Sequence, residues 1–416
     1  MVTAPAFLVY SALVWVYLLF RLGSYPRSVS RCTDTRTYEH VAGLSLWDWR
    51  FYAGERGFTV PLFLKLVHGP DWQGQAQLAI SIVSWLVLAA VVARSVRNAW
   101  LRVAAFAVVL AFSLTTQVVL WDAILMSESL TLSLTALLLA AWIQLVRAPR
   151  PLWVAAVLAC SLLWVFARDT NAYVVLAVAA LVAVTLLRND HRRLKLALAV
   201  GCCAIFALDY GSAEAGKRWL QPMKDVVTYR VIPNRSLRHY FVARGLDLHS
   251  NYPESAWLRH DARSVYVRYL VTHPVYTLAQ PFHGRQKALF STPGNAASLI
   301  DPNVLPCSGD LHRQFLPLPA PLVKVFFPRG VALVLGLTLG VLVAAGVVFR
   351  VAGADRAWLV PLGALLTVYP HLLVVWHQSG LEVDRHAFEA AALLRLGVFL
   401  LAVFVLDRAL TAVRRR

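Results

Sequence analysis

Long, almost unbroken apolar stretches separated by short polar connections set the plan of this chain. They cover residues 5–22, 76–93, 103–120, 129–146, 152–167, 172–187, 194–209, 327–349, 357–376 and 388–407. Each is close to the ~20 residues a helix needs to cross a bilayer. Leu, Val and Ala fill every side of these stretches, as they do in a helix whose solvent is lipid. The pattern predicts an all-α membrane protein with about ten transmembrane helices. It falls into three regions: residues 1–210 hold spans one to seven, residues 211–325 form a polar insert, and residues 326–416 hold spans eight to ten.

Two polar segments break the rhythm. Residues 23–75 form a first loop in which Tyr38, Val41, Leu44, Trp47, Trp49, Phe51 and Phe58 recur, predicting one or two short amphipathic helices on the membrane face. Residues 211–325 mix Arg, His and aromatic residues with breakers at Pro222, Pro233, Pro253, Pro274, Pro281, Pro293, Pro302 and Pro306. This insert predicts short helices and loops resting on the membrane domain rather than an autonomous domain.

Composition agrees with the pattern. Of 416 residues 59% are hydrophobic and 15% charged, too apolar for an ordinary soluble protein. The net charge of +18 is not a nucleic-acid signature, because the basic residues occupy every second connection. Arg94, Arg97, Arg102, Arg147, Arg150, Arg188, Arg192, Arg193, Lys195, Arg350, Arg356 and the terminal Arg414–Arg416 mark one face. By the positive-inside rule that face is cytoplasmic, with both termini inside and the first loop and the insert outside. Met1-Val2-Thr3 supplies no basic leader, so the first span reads as an uncleaved anchor. Cys160, Cys202 and Cys203 lie in spans as small apolar fillers, whereas Cys32 and Cys307 fall in outer segments where a disulfide between them would be permitted.

Ionisable residues gather where the apolar spans end on the outer side, and retention of such groups marks a substrate or ion path. Asp34, in Cys32-Thr33-Asp34-Thr35, is placed either to act as a general base on an acceptor hydroxyl or to cap the helix that follows. Asp122 and Glu128 bracket the tight connection Trp121–Ser129, where capping accounts for Ser127 and Glu128 as readily as chemistry does and for Asp122 less well. Arg168 and Asp169 form either a local ion pair or, through Arg168, a planar donor for a phosphate. His377 and the run Glu382-Val383-Asp384-Arg385-His386 flank the last outer connection. The run is either a solvated loop or a phosphate clamp at a helix N-terminus. No phosphate-binding glycine loop, zinc motif or serine nucleophile elbow is present in the sequence.

These segments together resemble the GT-C superfamily of integral-membrane glycosyltransferases, which includes the protein O-mannosyltransferases and the aminoarabinose lipid A transferases. The likeness rests on Asp34 after the first span and on the aromatic loop leading into Gly57-Phe58-Thr59-Val60-Pro61-Leu62-Phe63-Leu64. It rests also on Ser127-Glu128-Ser129-Leu130, Arg168-Asp169-Thr170 and Asp384-Arg385-His386. Asp34 stands alone where relatives often carry two adjacent acids, and Arg385-His386 replaces a frequent Arg-Tyr.

The resemblance implies a glycosyltransferase of the bacterial cytoplasmic membrane whose site faces outside. It would take sugar from a polyprenyl-phosphate donor to an extracytoplasmic glycan, lipid or protein acceptor. Asp34 would then be the base, and Arg385, His386 and Arg168 would hold the leaving phosphate. Asp122 and Glu128 would orient the sugar or a divalent cation, the only cofactor the pattern leaves room for. A transporter or flippase of a lipid-linked glycan is the alternative, although its charges would be spread through the midplane. A membrane acyltransferase is a further one, for which His371 is the sole deep histidine.

Overall fold

The computed structural model describes residues 4–25, 29–187, 190–248, 256–282, 307, 320–328, 330–352 and 356–414, so Pro253, Pro293, Pro302 and Pro306 of the insert lie outside the described residues. Among the described residues the regular structure is helical, with no strand beyond two isolated bridges. The membrane body runs α1 (Ala4–Gly23), an outer loop of α2 (Thr33–Gly43), α3 (Trp49–Ala53) and α4 (Thr59–Leu66), then α5 (Pro70–Ser95), α6 (Ala99–Ser113), α7 (Thr116–Asp122), α8 (Ser127–Arg147), α9 (Pro151–Val165), α10 (Thr170–Thr185) and α11 (Arg192–Ala215). The insert adds α12 (Leu220–Val226), α13 (Arg235–Val242), α14 (Ala256–His260), α15 (Ala262–Thr272), α16 (Pro274–Ala279) and α17 (Ala320–Phe326). The chain closes with α18 (Val331–Ala352), α19 (Leu359–Gln378) and α20 (Val383–Val413).

The apolar windows of the sequence fall on these helices, with 103–120 divided between α6 and α7 and 327–349 beginning before α18, but they differ in reach. Among the described residues, α5, α8, α11, α18, α19 and α20 are long and apolar enough to cross a membrane. A seventh crossing follows if α6 and α7, which meet at a 58° bend, are one span. At the bend the Ser113 and Thr115 hydroxyls donate to the carbonyls of Leu110 and Phe112, which also accept from the N–H groups of Leu114 and Thr115. Residues Phe7–Gly23, α9 and α10 are shorter apolar helices. Boundaries follow ordinary signals, with Pro70 and Pro151 opening α5 and α9 and Asn98 accepting from the N–H groups of Trp100 and Leu101 at the start of α6.

Lipid offers no hydrophobic drive between helices, so close approach through small side chains holds the body together. Ala387, Ala390, Ala391 and Ala392 are buried along α20, and Ala89 and Ala93 along α5. Around them pack Trp85, Phe112, Trp121 and Phe388. A second cluster joins α8 to α11 through Trp164, Val165, Val175 and Cys202. The insert has a small core of its own, built from Val227, Phe241, Leu258, Tyr266 and Tyr269. It is fastened to the end of α19: the Arg230 guanidinium lies 4.0 Å from the Trp376 ring centre, His377 Nε2 donates to the Thr277 carbonyl at 2.9 Å, and Tyr266 Oη meets His377 Nδ1 at 3.0 Å.

Candidate functional site

The first outer loop is pinned to the connection between α7 and α8. Ser30 N–H donates to Ala123 O at 2.8 Å, Leu125 N–H to Ser30 O at 3.0 Å, and Thr35 Oγ1 to Leu125 O at 2.7 Å. The Gln77 amide gathers the carbonyls of Trp121, Asp122 and Ile124 at 2.9, 3.2 and 2.9 Å from below. Cys32 caps α2, its N–H donating to Thr35 Oγ1 at 2.9 Å, and is disulfide-bonded to Cys307. Asp34 is therefore not the cap: it is the second residue of α2, and its carboxylate is left to other partners.

There it meets two guanidiniums. Arg56 Nη2 donates to Asp34 Oδ1 at 2.8 Å, and Arg385 Nη2 and Nη1 donate to Oδ2 at 3.1 and 3.2 Å. Arg56 is held in turn by Thr37 Oγ1 at 2.9 Å and by the Tyr38 ring, whose centre is 5.0 Å away. Burial pushes the Asp34 carboxyl up, but Arg56 and then Arg385 outweigh it and hold it below its ordinary value. The Asp34 side chain keeps 24% of its surface exposed, so a substrate can reach it.

Arg385 enters from the first turn of α20 and is buried among carboxylates. It is 2.9 Å from Glu382 Oε2 and 3.5 Å from Glu128 Oε1, besides Asp34. Glu382, which precedes α20, adopts φ +50°, a left-handed conformation that costs a non-glycine residue energy and that clusters at functional sites. Arg168, in the α9–α10 connection, shares Glu128 Oε1 at 3.5 Å and donates to His386 Nδ1 at 2.7 Å. Since arginine keeps its protons, Nδ1 accepts and the His386 ring is neutral. His386 thus orients Arg168 and adds no cation of its own. Beneath lies Glu389, its Oε1 taking Trp164 Nε1 at 2.6 Å and Thr135 Oγ1 at 3.2 Å, its Oε2 3.9 Å from Arg168.

The structure thus brings together Asp34, Glu128, Arg168, Arg385 and His386. Asp122 is turned away to pair with Arg21, a buried guanidinium that also holds Ser81 and the Ser113 carbonyl. Asp169 pairs with Arg218 of the insert at 2.9 Å, not with its neighbour Arg168. His377 is spent on fastening the insert. Asp384 stays outside these pairings, its buried Oδ1 having no hydrogen-bond partner among the described residues. Capping does not explain Ser127 and Glu128 either, because Met126 occupies the cap position of α8 and makes no side-chain cap bond.

Three members escaped the sequence reading. Arg56 stood in a loop already rich in arginine. Glu389 lay inside the last apolar span, where a lone acid should itself have been the signal. Asp225, on α12 of the insert, is half-buried, and burial raises its carboxyl to about 6, with the Asp34 charge adding to the rise against Gln221 and Lys224. A Cβ on Gly380 would lie 2.2 Å from the Asp225 carbonyl, so only glycine lets the α19–α20 connection pass beneath this helix. Gly57 does the same at the other side, where a Cβ would lie 2.3 Å from Phe166 O, two residues before Arg168.

Among the described residues no group of three or more His, Cys, Asp or Glu stands where it could hold a metal ion. The cluster carboxylates are committed to guanidiniums instead. Formally, Arg56, Arg168 and Arg385 face Asp34, Glu128, Glu382 and Glu389. This is a near-balanced network that an incoming anion must enter by competing for arginine. No protein-family model matches the chain, and no curated protein matches it.

Proposed function

We propose that the protein is a ten-span glycosyltransferase of the cytoplasmic membrane that moves a sugar from a polyprenyl-phosphate carrier to an extracytoplasmic acceptor. One observation carries the reading: a partly exposed carboxylate, Asp34, is shared between two arginines at the end of the bundle opposite the basic connections. A donor phosphate presents the oxygens that guanidiniums prefer to take in pairs. As it binds, Arg385 and Arg56 pass from Asp34 to the phosphate. The carboxylate, relieved of its ion pairs, recovers basicity just where the acceptor hydroxyl must lose its proton. The acceptor oxygen attacks the anomeric carbon, the carbon–phosphate oxygen bond breaks, the proton goes to Asp34, and the charge left on the phosphate stays with Arg385, with Arg168 oriented beside it by His386.

The charged groups around Asp34 gather at one end of the bundle rather than through the midplane, which supports an enzyme over a flippase, and Arg395 lies buried further along α20. His371, which an acyltransferase would need exposed to substrate, is buried, and neither ring nitrogen has a hydrogen-bond partner among the described residues. The test is transfer of labelled sugar from a panel of polyprenyl-phosphate sugars to glycan, lipid and peptide acceptors in detergent micelles. A transporter has no compartments to connect there, so absence of transfer across the panel would reject the enzyme.

A further inference from the structure

A groove of about 760 Å³ runs between α8, α9, α10, α11 and α19. Its walls include Leu138, Trp142, Val178 and Leu198, and its blind end is made by Thr135 and Trp164. None of Asp34, Arg56, Arg168, Arg385 or His386 lines it. Thr135 and Trp164, both bonded to Glu389, stand between the groove and the cluster. Its mouth lies at the opposite end of the bundle, between the end of α10 and the starts of α11 and α19. Here Lys195 Nζ and Arg356 Nη1 converge on the two oxygens of Asp190 at 2.7 and 2.8 Å. Two cations on one carboxylate leave a net positive charge at the opening of an apolar slot.

The depth of the slot is informative. Along α8 the lining runs from Thr135 to Val146 and along α10 from Val174 to Thr185, each roughly 16 Å at 1.5 Å per residue. That is somewhat more than half of a ~30 Å hydrocarbon core, the reach of one leaflet. A donor tail descending from Asp34 would have to pass Trp164 and Glu389, whereas a lipid from the other leaflet enters with its headgroup already at the mouth.

We propose that this groove binds an anionic phospholipid of the leaflet opposite the Asp34 cluster, its headgroup phosphate met by Lys195 and Arg356 and its acyl chains lying against Trp142, Val178 and Leu198. The site depends on the membrane placement of the bundle and not on the glycosyltransferase reading, since its ligand takes no part in sugar transfer. A cavity of this size falls within the ordinary range for ligand sites of ~300–1,000 Å³. Its polar fixture is confined to one end, as a lipid requires.

The experiment uses the full chain in neutral detergent with phosphatidylglycerol carrying a diazirine in mid-chain, the labelled residues being mapped by peptide mass spectrometry. Label is expected on α8, α10 and α11 within the groove. Unlabelled phosphatidylglycerol should compete at least about tenfold better than phosphatidylcholine, and Lys195→Gln combined with Arg356→Gln should erase that preference, as loss of charge-assisted contacts implies. Gly363→Phe supplies an independent arm. Gly363 lines the groove, and a Cβ there meets nothing within 4 Å, so the ring fills the slot without disturbing the helix and should abolish the label. Equal competition by both lipids, unchanged by these variants, would mean an annular lipid only and overturn the proposal. Displacement by polyprenyl phosphate but not by phosphatidylglycerol would assign the groove to a donor tail and overturn it equally.

Discussion

Replacing Arg385 with Met removes the cation on which three carboxylates converge while keeping an apolar side chain of similar length. Arg385 is buried to 4% exposure, Glu382 to 8% and Glu128 to 2%, so the pairs that are lost are screened by protein rather than water. The three losses are unequal. Asp34 is part-exposed and retains Arg56 at 2.8 Å, and Glu128 retains Arg168 at 3.5 Å, whereas Glu382 loses its 2.9 Å pair. The loss of one buried pair costs about 3–5 kcal/mol, and the other two add only a fraction because each keeps a second arginine. Arg385→Met should therefore destabilise by about 3–5 kcal/mol, not by three times that.

Arg385→Lys keeps the charge but cannot serve several carboxylates from one planar fork, and should cost about 1.5–3 kcal/mol. The assay is reversible unfolding in mixed micelles titrated with dodecyl sulfate, followed by tryptophan fluorescence. A double-mutant cycle with Glu382→Gln should return a coupling of about 0.5–3 kcal/mol, since the two side chains form one buried ion pair. Loss below about 0.5 kcal/mol for Arg385→Met, the ordinary range of surface substitutions, together with no coupling, would refute the buried network.

Asp34→Asn preserves shape but leaves one acceptor oxygen for Arg56 and Arg385 together, so the purified variant should remain folded and inserted while sugar transfer falls by ~10²–10⁴, the loss expected for a general base; near wild-type turnover would remove Asp34 from the chemistry. Asp225 gives a pH signature of opposite sign to that of Asp34. Its folded carboxyl is raised to about 6, mainly by burial, so its contribution to stability is complete below the ordinary value of 3.8 and is lost as pH rises through about 6. Asp225→Asn should flatten that segment of the stability profile, and an unchanged profile would contradict the buried placement of α12. Asp34, lowered by Arg56 and Arg385, contributes stability above its ordinary value that disappears only as pH falls below it, so no transition near pH 6 should be attributed to it. Cys32→Ser opens a link across a sequence separation of 275 and should lower stability by about 2–4 kcal/mol, with loss of the reduction-dependent mobility shift on gels.

Much of this was legible in the sequence, for a physical reason. Lipid forces spans into apolar helices whatever their partners, so the apolar windows became helices. Direction was harder to read. Arg168 and Asp169 are adjacent in the connection between α9 and α10, yet one reaches Glu128 and the other Arg218. Asp122 and Glu128 stand at two ends of one turn, yet the chain reverses between them, so Asp122 faces α1 and Glu128 faces α20. No spacing rule anticipates which acid finds Arg21 and which finds Arg385. Glu389 could have been found: it lies four residues after Arg385, on the same face of α20, in a segment where an unpaired acid is costly. Asp225 could not, because only the packing of the insert brings α12 against the α19–α20 connection.

The most direct test of the site is an electron cryo-microscopy map of the protein with a polyprenyl-phosphonate sugar that cannot be cleaved. The account predicts phosphonate density in contact with Arg385 and Arg168, the sugar between it and Asp34, and Asp34 separated from at least one of its two guanidiniums. Headgroup density elsewhere, with Asp34 still bound by both Arg56 and Arg385, would contradict it.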